Sequence, residues 1–112
     1  MRFEWDENKS HQNRRKHGVG FETATLVFDD PYALTKRDLD FDDEERWVTV
    51  GAVGPGSLLF VVHLFRDRDD EEIIRIISAR AAEFVERKAY EEAHKASEAR
   101  HRRHRRQERR RH

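Results

Sequence analysis

Two arginines interrupt a strand-like stretch, IRIISARAA, at residues 74–82. A buried guanidinium without a partner costs too much free energy to be kept. Arg75 and Arg80 must therefore reach solvent, pair with a carboxylate, or bind an anionic ligand. Guanidinium groups bind phosphate through parallel hydrogen bonds, and imidazole groups can transfer protons near neutral pH. Arginines and histidines grouped together would therefore suit chemistry on a phosphodiester.

Further candidates of the same two types lie at the ends of predicted elements. They are His17, Arg46, His63 and Arg66. If a strand over 58–65 lies antiparallel beside one over 72–78, His63, Arg66 and Arg75 can be neighbours, provided that the two-residue period turns them to one face. A lone histidine on a strand is more often a core or edge residue, so the grouping is what favours a function.

Each arginine also has a structural explanation. Arg80 can pair with Glu83 or with an acidic loop, and Arg75 can pair with Glu44 or Glu45 across the sheet. Taken singly, such arginines are more often structural. Taken together, several arginines and two histidines near one sheet favour a phosphodiester ligand.

Metal-ion and covalent chemistry are poorly supported by the sequence. The body of the chain has no H-x-x-x-H or H-E-x-x-H pattern and the chain has no cysteine, so the usual zinc-ligand spacings are missing. His101 and His104 are three residues apart, but the arginines around them would repel a divalent cation. There is no glycine-rich phosphate loop and no serine nucleophile motif. We therefore expect neither a metal nor a cofactor.

The elements that must position these residues begin with a short strand and two helices. Residues 2–5 alternate polar and apolar side chains, which predicts a first strand. Asp6 is a good N-cap for a helix over 7–16, and this helix is so polar that it is either a solvated surface or a face turned toward a polyanion. A second helix fits 21–28, where apolar residues recur at helical spacing.

The second half of the chain predicts an antiparallel sheet followed by a helix. Three predicted strands span residues 46–53, 58–65 and 72–78. The acidic stretch 36–45 is predicted as a loop or edge, and 66–71 as a turn, and such short connections indicate an antiparallel meander. From Ala81 the apolar period becomes helical, and this helix either continues into the C-terminal residues or is melted there by charge repulsion. The predicted fold class is α+β.

Charge divides the chain into two parts, although its net charge is zero. Residues 1–94 contain 14 Lys/Arg and 21 Asp/Glu, whereas residues 95–112 contain 9 Lys/Arg and 2 Asp/Glu. We expect one domain over 1–94 and a basic tail, helical or disordered, over 95–112. The tail can bind RNA, fold back on the acidic body, or have no role.

The composition also bears on where the protein works. The lack of cysteine suits a reducing compartment, the longest apolar run is too short to span a bilayer, and the N-terminus has no apolar signal region. We expect a cytoplasmic protein.

Several motifs, in order, resemble the BrnT family of toxins. The stretches FEWDENKSHQNRRKHGVGFETATLVFDDP, DEERWVTVG, LLFVVHLFR and IRIISARAAEFVERKAYEEA resemble that family across residues 3–93. The resemblance implies a RelE-like α+β fold and a ribonuclease activity that blocks translation. It also implies a cognate BrnA-like antitoxin with a ribbon–helix–helix part, which binds operator DNA and represses the promoter in complex with the toxin. The positions that match the family are Lys9, Asn13, Lys16, His17, Gly18, Glu45, Arg46, His63, Arg66, Arg75, Ser78, Arg80, Arg87 and Tyr90.

The residues and the resemblance together predict metal-independent cleavage of RNA, in which the ribose 2′-OH attacks the adjacent phosphorus. The predicted catalytic residues are His17, Glu45, Arg46, His63, Arg75 and Arg80. The predicted RNA-binding residues are Lys9, Lys16 and Arg66. The sequence does not assign the acid and the base. The competing interpretation is a non-catalytic co-repressor that acts only with the antitoxin.

Two positions depart from the family pattern. Leu64 and Phe65 stand where the family often has a polar pair, and Ala81 stands where a basic residue often follows the arginine. Both differences reduce the polar surface near the predicted site and could alter activity or substrate preference.

Overall fold

The computed structural model describes residues 1–39 and 45–110, which form one five-stranded sheet with helices on both faces. In chain order the elements are β1 (Arg2–Glu4), α1 (Glu7–His17), α2 (Phe21–Ala24), a 3₁₀ helix (Thr25–Asp29), β2 (Leu34–Arg37), β3 (Arg46–Gly54), β4 (Ser57–Arg68), β5 (Glu71–Ala81) and α3 (Phe84–Arg110). The strand order is β1-β5-β4-β3-β2. The pairs among β2 to β5 are antiparallel and β1 is parallel to β5. The predicted α+β class and the meander of three strands are confirmed.

Helix α1 begins and ends where its capping residues predict. The Asp6 carboxylate accepts hydrogen bonds from the backbone N–H groups of Asn8 (2.9 Å) and Lys9 (3.2 Å), which satisfies donors that the first turn leaves free. Gly18 ends the helix at φ 75°, a left-handed conformation that glycine adopts at little cost.

Polar contacts hold α1 against the sheet, because this helix has almost no apolar side chains. Only Ser10 and Asn13 are buried along it. The Asn13 side chain donates to the Ala79 carbonyl (2.8 Å) and accepts from the Ala79 N–H (3.3 Å). The Asn13 side chain therefore forms the hydrogen bonds of a neighbouring strand with the edge of β5, beyond the residues that pair with β1. Ser10 Oγ accepts from the Phe21 N–H at 3.0 Å and ties α1 to α2.

The predicted helix over 21–28 is α-helical only as far as Ala24, and it continues as the 3₁₀ helix. Phe21, Ala24 and Val27 are its fully buried residues, and their three-residue spacing matches the 3₁₀ period. This segment lies very close to β3, since a Cβ on Gly51 would lie 2.9 Å from the Val27 Cβ. Gly51 is therefore required by the close approach of the two elements.

The hairpin between β4 and β5 is tighter than the sequence predicts. Residues 66–71 were predicted to form a turn, but β4 continues through Arg68 and β5 begins at Glu71. The turn consists of Asp69 and Asp70, with φ values of 54° and 64°. Two successive positive φ values suit a two-residue hairpin, whose twist matches that of the flanking strands. Aspartate tolerates this conformation better than most residues do.

A β-bulge in β5 decides which side chains share a face of the sheet. Val62 pairs with Ser78 and His63 pairs with Ile76, so Ile77 is the extra residue. Without a bulge, residues 75 and 80 would project to opposite faces, because strand side chains alternate. With the bulge, Arg75 and Arg80 project to the same face, which we call the arginine face. We call the opposite face, which packs on α1, α2 and the 3₁₀ helix, the packed face.

Helix α3 covers one end of the arginine face. It starts at Phe84 rather than at the predicted Ala81, because β5 runs on and the Ala82 N–H donates to the Leu58 carbonyl at 2.9 Å. The Glu86 side chain accepts from the Glu83 N–H at 2.8 Å, which is half of a capping box.

Beyond this docked start, α3 continues without a break through Arg110. None of the helices in the described part combines the length and the apolar composition needed to cross a membrane.

Candidate active site

One row of side chains crosses four strands on the arginine face. Arg46 pairs with Leu64, Leu64 with Arg75, and Arg75 with Glu4. Residues that pair directly across strands project to the same side, so Arg46 and Arg75 flank Leu64 and Glu4 follows beside Arg75. Arg66, paired with Ile73 in the next row, adds a further exposed cation to this face.

Arg75 has a weak carboxylate partner. Its Nη1 lies 3.4 Å from Glu4 Oε1, while the other oxygen of Glu4 lies 3.8 Å from Arg68 Nη1. The predicted pairing of Arg75 with Glu45 is wrong, because β1 brings Glu4 beside it, and Glu44 lies outside the described residues. A guanidinium carries five N–H donors, and a single long contact leaves most of them available to a ligand.

Arg80 has a much stronger partner. Its two terminal nitrogens each donate to a different oxygen of Glu86 at 2.8 Å, and its guanidinium carbon lies 4.0 Å from the centre of the Phe60 ring. The predicted Glu83 is a secondary partner at 3.9 Å. The hydrogen bond to Glu86 raises the pKa of Arg80 despite its partial burial, and the bond from Arg80 lowers the pKa of Glu86. Both groups are therefore charged at neutral pH.

A cavity of about 150 Å³ opens beside this ion pair, between the sheet and the first turns of α3. Its lining consists of Leu34, Lys36, Val48, Val50, Phe60, Glu86 and Ala89. The Lys36 charge helps to lower the pKa of Glu86. The cavity thus has an apolar floor and one charged group of each sign at its rim.

His63 does not lie on this face. It pairs with Ile76 on the packed face and is fully buried, with its ring centre 4.9 Å from those of Phe28 and Phe65. The predicted grouping of His63 with Arg66 and Arg75 is therefore wrong.

Burial keeps His63 neutral, and its hydrogen bonding assigns its tautomer. Its Nε2 lies 2.8 Å from Thr49 Oγ1, and its Nδ1 has no partner among the described residues. Burial lowers the pKa of His63 from 6.5 to about 4. If the proton is on Nε2, the unpaired Nδ1 is an acceptor without a donor. If the proton were on Nδ1, a buried N–H donor would have no acceptor, which costs more. We therefore assign the Nε2–H tautomer, which donates to Thr49.

The predicted residues on α1 lie at the edge of the sheet. Lys9, Lys16 and His17 are exposed. His17 follows Asn13 by four residues and hence lies on the same side of the helix. Because the Asn13 side chain is bonded to the Ala79 backbone, this side of α1 faces the edge of β5 and lies apart from the row that contains Arg75.

Glu45 is exposed beside the start of β3, and its carboxylate lies 3.9 Å from Arg37. Of the predicted site residues, the structure therefore brings Arg46, Arg66, Arg75 and Arg80 to one face. It leaves Glu45 and the α1 residues at the margins, and it places His63 in the core. The described part of the chain holds no group of three side chains suited to a metal ion.

Three charged residues of this region were missed by the sequence analysis, namely Glu4, Lys36 and Glu86. The alternation of RFEW already places Arg2 and Glu4 on one face of a strand. A capping-box glutamate at the start of a helix is also a readable signal for Glu86. Lys36 had no such signal, because β2 lies partly in a stretch predicted as a loop or edge.

Comparisons with known proteins identify the class. Ribonuclease toxins of type II toxin–antitoxin systems are the class described by the family model that matches residues 5–86. The chain belongs to this family, BrnT, which implies an antitoxin partner.

A solved structure agrees with the family match. The crystal structure of the Brucella abortus ribonuclease toxin BrnT is similar to this fold with a TM-score of 0.55 and 25% sequence identity, over 74% of this chain and 97% of that one. The comparison with curated proteins gave no match.

Proposed function

We propose that this chain is a metal-independent endoribonuclease toxin that cleaves RNA on its arginine face. The observation that carries the proposal is the bulged sheet, which turns Arg75 and Arg80 to the side that already carries Arg46. Cations fixed on a sheet need little reorganisation to stabilise negative charge that develops on a phosphate. The family supplies the reaction class, and these arginines supply the positive charge that a metal ion provides in other nucleases.

The proposed reaction is transfer of the phosphoryl group to the neighbouring 2′ oxygen. The 2′-OH oxygen attacks phosphorus in line, and the bond from phosphorus to the 5′ oxygen breaks. One proton leaves the 2′-OH and one proton reaches the leaving oxygen. The products are a 2′,3′-cyclic phosphate and a 5′-OH end. Extra charge accumulates on the non-bridging oxygens, where arginine donors act most strongly.

Within this proposal Arg75 is the principal phosphate ligand, because its contact with Glu4 is long and single. Arg80 binds the phosphate from the other side of the bulge, where its ion pair with Glu86 fixes the position of the guanidinium. His17 is the candidate for proton transfer, since it is exposed and matches the family pattern. His63 has no part in the chemistry, because it is buried and neutral.

The remaining predicted residues extend the surface. Arg66 lies on the arginine face and would hold a neighbouring phosphate, and Lys9 and Lys16 would do so from α1. Glu45 is a weaker candidate for the base, at the margin of the site. Arg46 completes the row beside Leu64.

We further propose that the partner is a BrnA-like antitoxin with a ribbon–helix–helix part, that the complex binds operator DNA through that antitoxin, and that free toxin inhibits translation in the cytoplasm. The family membership supports the existence of an antitoxin, and the resemblance supports its type.

The experiment that tests the activity is cleavage of an end-labelled RNA in excess EDTA. We expect the wild type to produce cyclic phosphate ends and the Arg75→Ala/Arg80→Ala double variant to lose this activity while its circular dichroism is unchanged. Unfolding of the double variant would instead support purely structural ion pairs.

Absence of cleavage by the folded wild type, with and without ribosomes, would contradict the proposal. The co-repressor alternative would then gain support.

A further inference from the structure

The second half of α3 leaves the body of the protein. Among the described side chains, Tyr90 and His94 tie this helix to the body: the Tyr90 hydroxyl donates a 2.6 Å hydrogen bond to Asp30, and the His94 ring stacks on Tyr32 with ring centres 3.9 Å apart. We call residues 95–110 the basic arm. At 1.5 Å per residue it extends about 24 Å, and the described part of the molecule measures 58 × 35 × 26 Å.

Several hydrogen bonds converge on Asp30 where the arm is attached. Asp30 accepts from the N–H groups of Ala52 and Tyr32 as well as from Tyr90. Burial alone would raise the pKa of Asp30, but these hydrogen bonds lower it. Burial and the bond to Asp30 raise the pKa of Tyr90 to about 12. The junction thus fixes the direction in which the arm leaves the body.

The charge of the arm is opposite to that of the body. Residues 1–94 carry 14 Lys/Arg against 21 Asp/Glu, and residues 95–112 carry 9 against 2. Arg100, Arg102 and Arg103 are exposed. An acidic body repels a polyanion at long range. The positive charge of the arm can offset this repulsion for a polyanionic substrate of the arginine face.

The composition of the arm indicates the kind of partner. Residues 95–112 contain no Leu, Ile, Val, Met, Phe, Trp or Tyr. A helix that docks in a protein groove needs apolar anchors at i, i+3, i+4 and i+7, and this segment has none larger than alanine. The arm therefore recognises charge alone, and a nucleic-acid backbone offers a regular array of such charges.

We propose that the basic arm binds the phosphate backbone of RNA without sequence preference and holds it at the enzyme. The choice of RNA rests on the proposed function. The arm also lies outside residues 5–86 that match the family, so it is an addition to the toxin domain rather than part of its shared site. It should increase RNA affinity without changing the bond that is cleaved.

The test measures binding of a fluorescent single-stranded RNA with every 2′-OH methylated, which cannot undergo 2′-OH attack. The full chain is compared with a variant carrying Arg100→Gln, Arg102→Gln and Arg103→Gln, and with a matched variant carrying lysine at the same positions. Both replacements favour helix, and circular dichroism checks this. We expect the glutamine variant to bind at least about tenfold more weakly at low salt, with a salt slope smaller by about 2. The lysine variant should resemble the wild type.

Equal binding by the wild type and the glutamine variant would overturn the proposal, and so would equal loss in the lysine variant, because charge would then not be the cause. Stronger binding of poly-glutamate than of the RNA would assign the arm to an acidic protein. Since the probe cannot be cleaved, these outcomes are independent of whether the arginine face is a ribonuclease site.

Discussion

The two faces of the sheet are built from the same three long strands, yet they have opposite chemistry. On the packed face Val61, Ile76 and Ala79 are almost fully buried beneath α1, α2 and the 3₁₀ helix. On the arginine face Arg46 and Arg75 remain partly exposed, and α3 covers only one end. The packed face contributes the larger core cluster, whereas the arginine face combines a smaller core cluster under α3, with Val50, Leu58 and Tyr90, and the partly exposed row around Arg75.

The same contrast applies to ionisable groups. On the packed face, burial lowers the pKa of His63 to about 4 and keeps the ring neutral. On the arginine face, a carboxylate partner raises the pKa of Arg80 and keeps it charged. A titratable residue placed in a strand therefore becomes a core residue or a ligand-binding residue according to its face. Variants on the packed face should change stability, and variants on the arginine face should change activity.

The largest effect is expected for Asn13→Ala on the packed side. This change leaves the N–H and C=O of Ala79 and the Val19 carbonyl without their partner. Since unsatisfied buried groups are costly, we expect the free energy of unfolding to fall by about 3 kcal/mol. Urea denaturation measures it, with Gln12→Ala, an exposed neighbour, as the control expected to change little. A loss as small as that of the control would contradict the edge-pairing role of Asn13.

A comparably large effect, on activity alone, is expected for Arg75→Ala. We expect cleavage to fall roughly a hundredfold, while the long, partly exposed ion pair with Glu4 contributes about 1 kcal/mol or less to stability. Arg80→Ala should reduce cleavage less, because Glu86 already occupies two of its donors. Arg68→Ala, which also removes a contact with Glu4, is the matched control. If Arg68→Ala loses as much activity as Arg75→Ala, the positioning of Glu4 rather than phosphate binding is responsible.

A smaller effect is expected on the pH dependence of stability, because His63 on the packed face is protonated at a lower pH in the folded chain than in the unfolded chain. The unfolded chain binds a proton at residue 63 below pH 6.5, but the folded chain does so only near pH 4. Stability from this group is therefore complete above pH 6.5 and decreases as the pH falls toward 4, by about 2 kcal/mol between pH 7 and 5. Thermal unfolding of His63→Gln at several pH values should show that stability depends less on pH than it does in the wild type. A slope identical to that of the wild type would show that His63 is accessible to protons in the folded state.

The smallest effect is expected for Glu86→Gln. Glutamine preserves the capping box but weakens the ion pair, so Arg80 becomes more available to phosphate. We expect cleavage to rise roughly threefold, or about 0.7 kcal/mol in the activation barrier. Initial rates on the same labelled RNA measure it. A decrease would mean that Glu86 itself acts on the substrate.

Much of the fold was predictable because its signals are local. Asp6 and Gly18 mark the ends of α1, and the apolar runs mark β3, β4 and β5. Strand parity also indicates that His63 and Arg66, three residues apart, face opposite sides. The two-residue period of one strand is thus enough to exclude a common face for His63 and Arg66.

The remaining features depend on distant contacts. Glu4 and Arg75 are 71 residues apart in the chain, and only the parallel pairing of β1 with β5 brings them together. The bulge at Ile77 has no local signal, because an isoleucine in a strand is ordinary. The sequence therefore identifies the arginines as candidates. It does not show that they share a face, and it does not show which carboxylates they pair with.

The bulge has a consequence for how such a site can be lost in evolution. If Ile77 were kept but entered the regular ladder, strict alternation in β5 would turn Arg75 and Arg80 to opposite faces, although every arginine would still be encoded. A survey that counts matching residues would score such a descendant as intact. The site is thus inherited through the pairing register of a strand as well as through the identity of its residues.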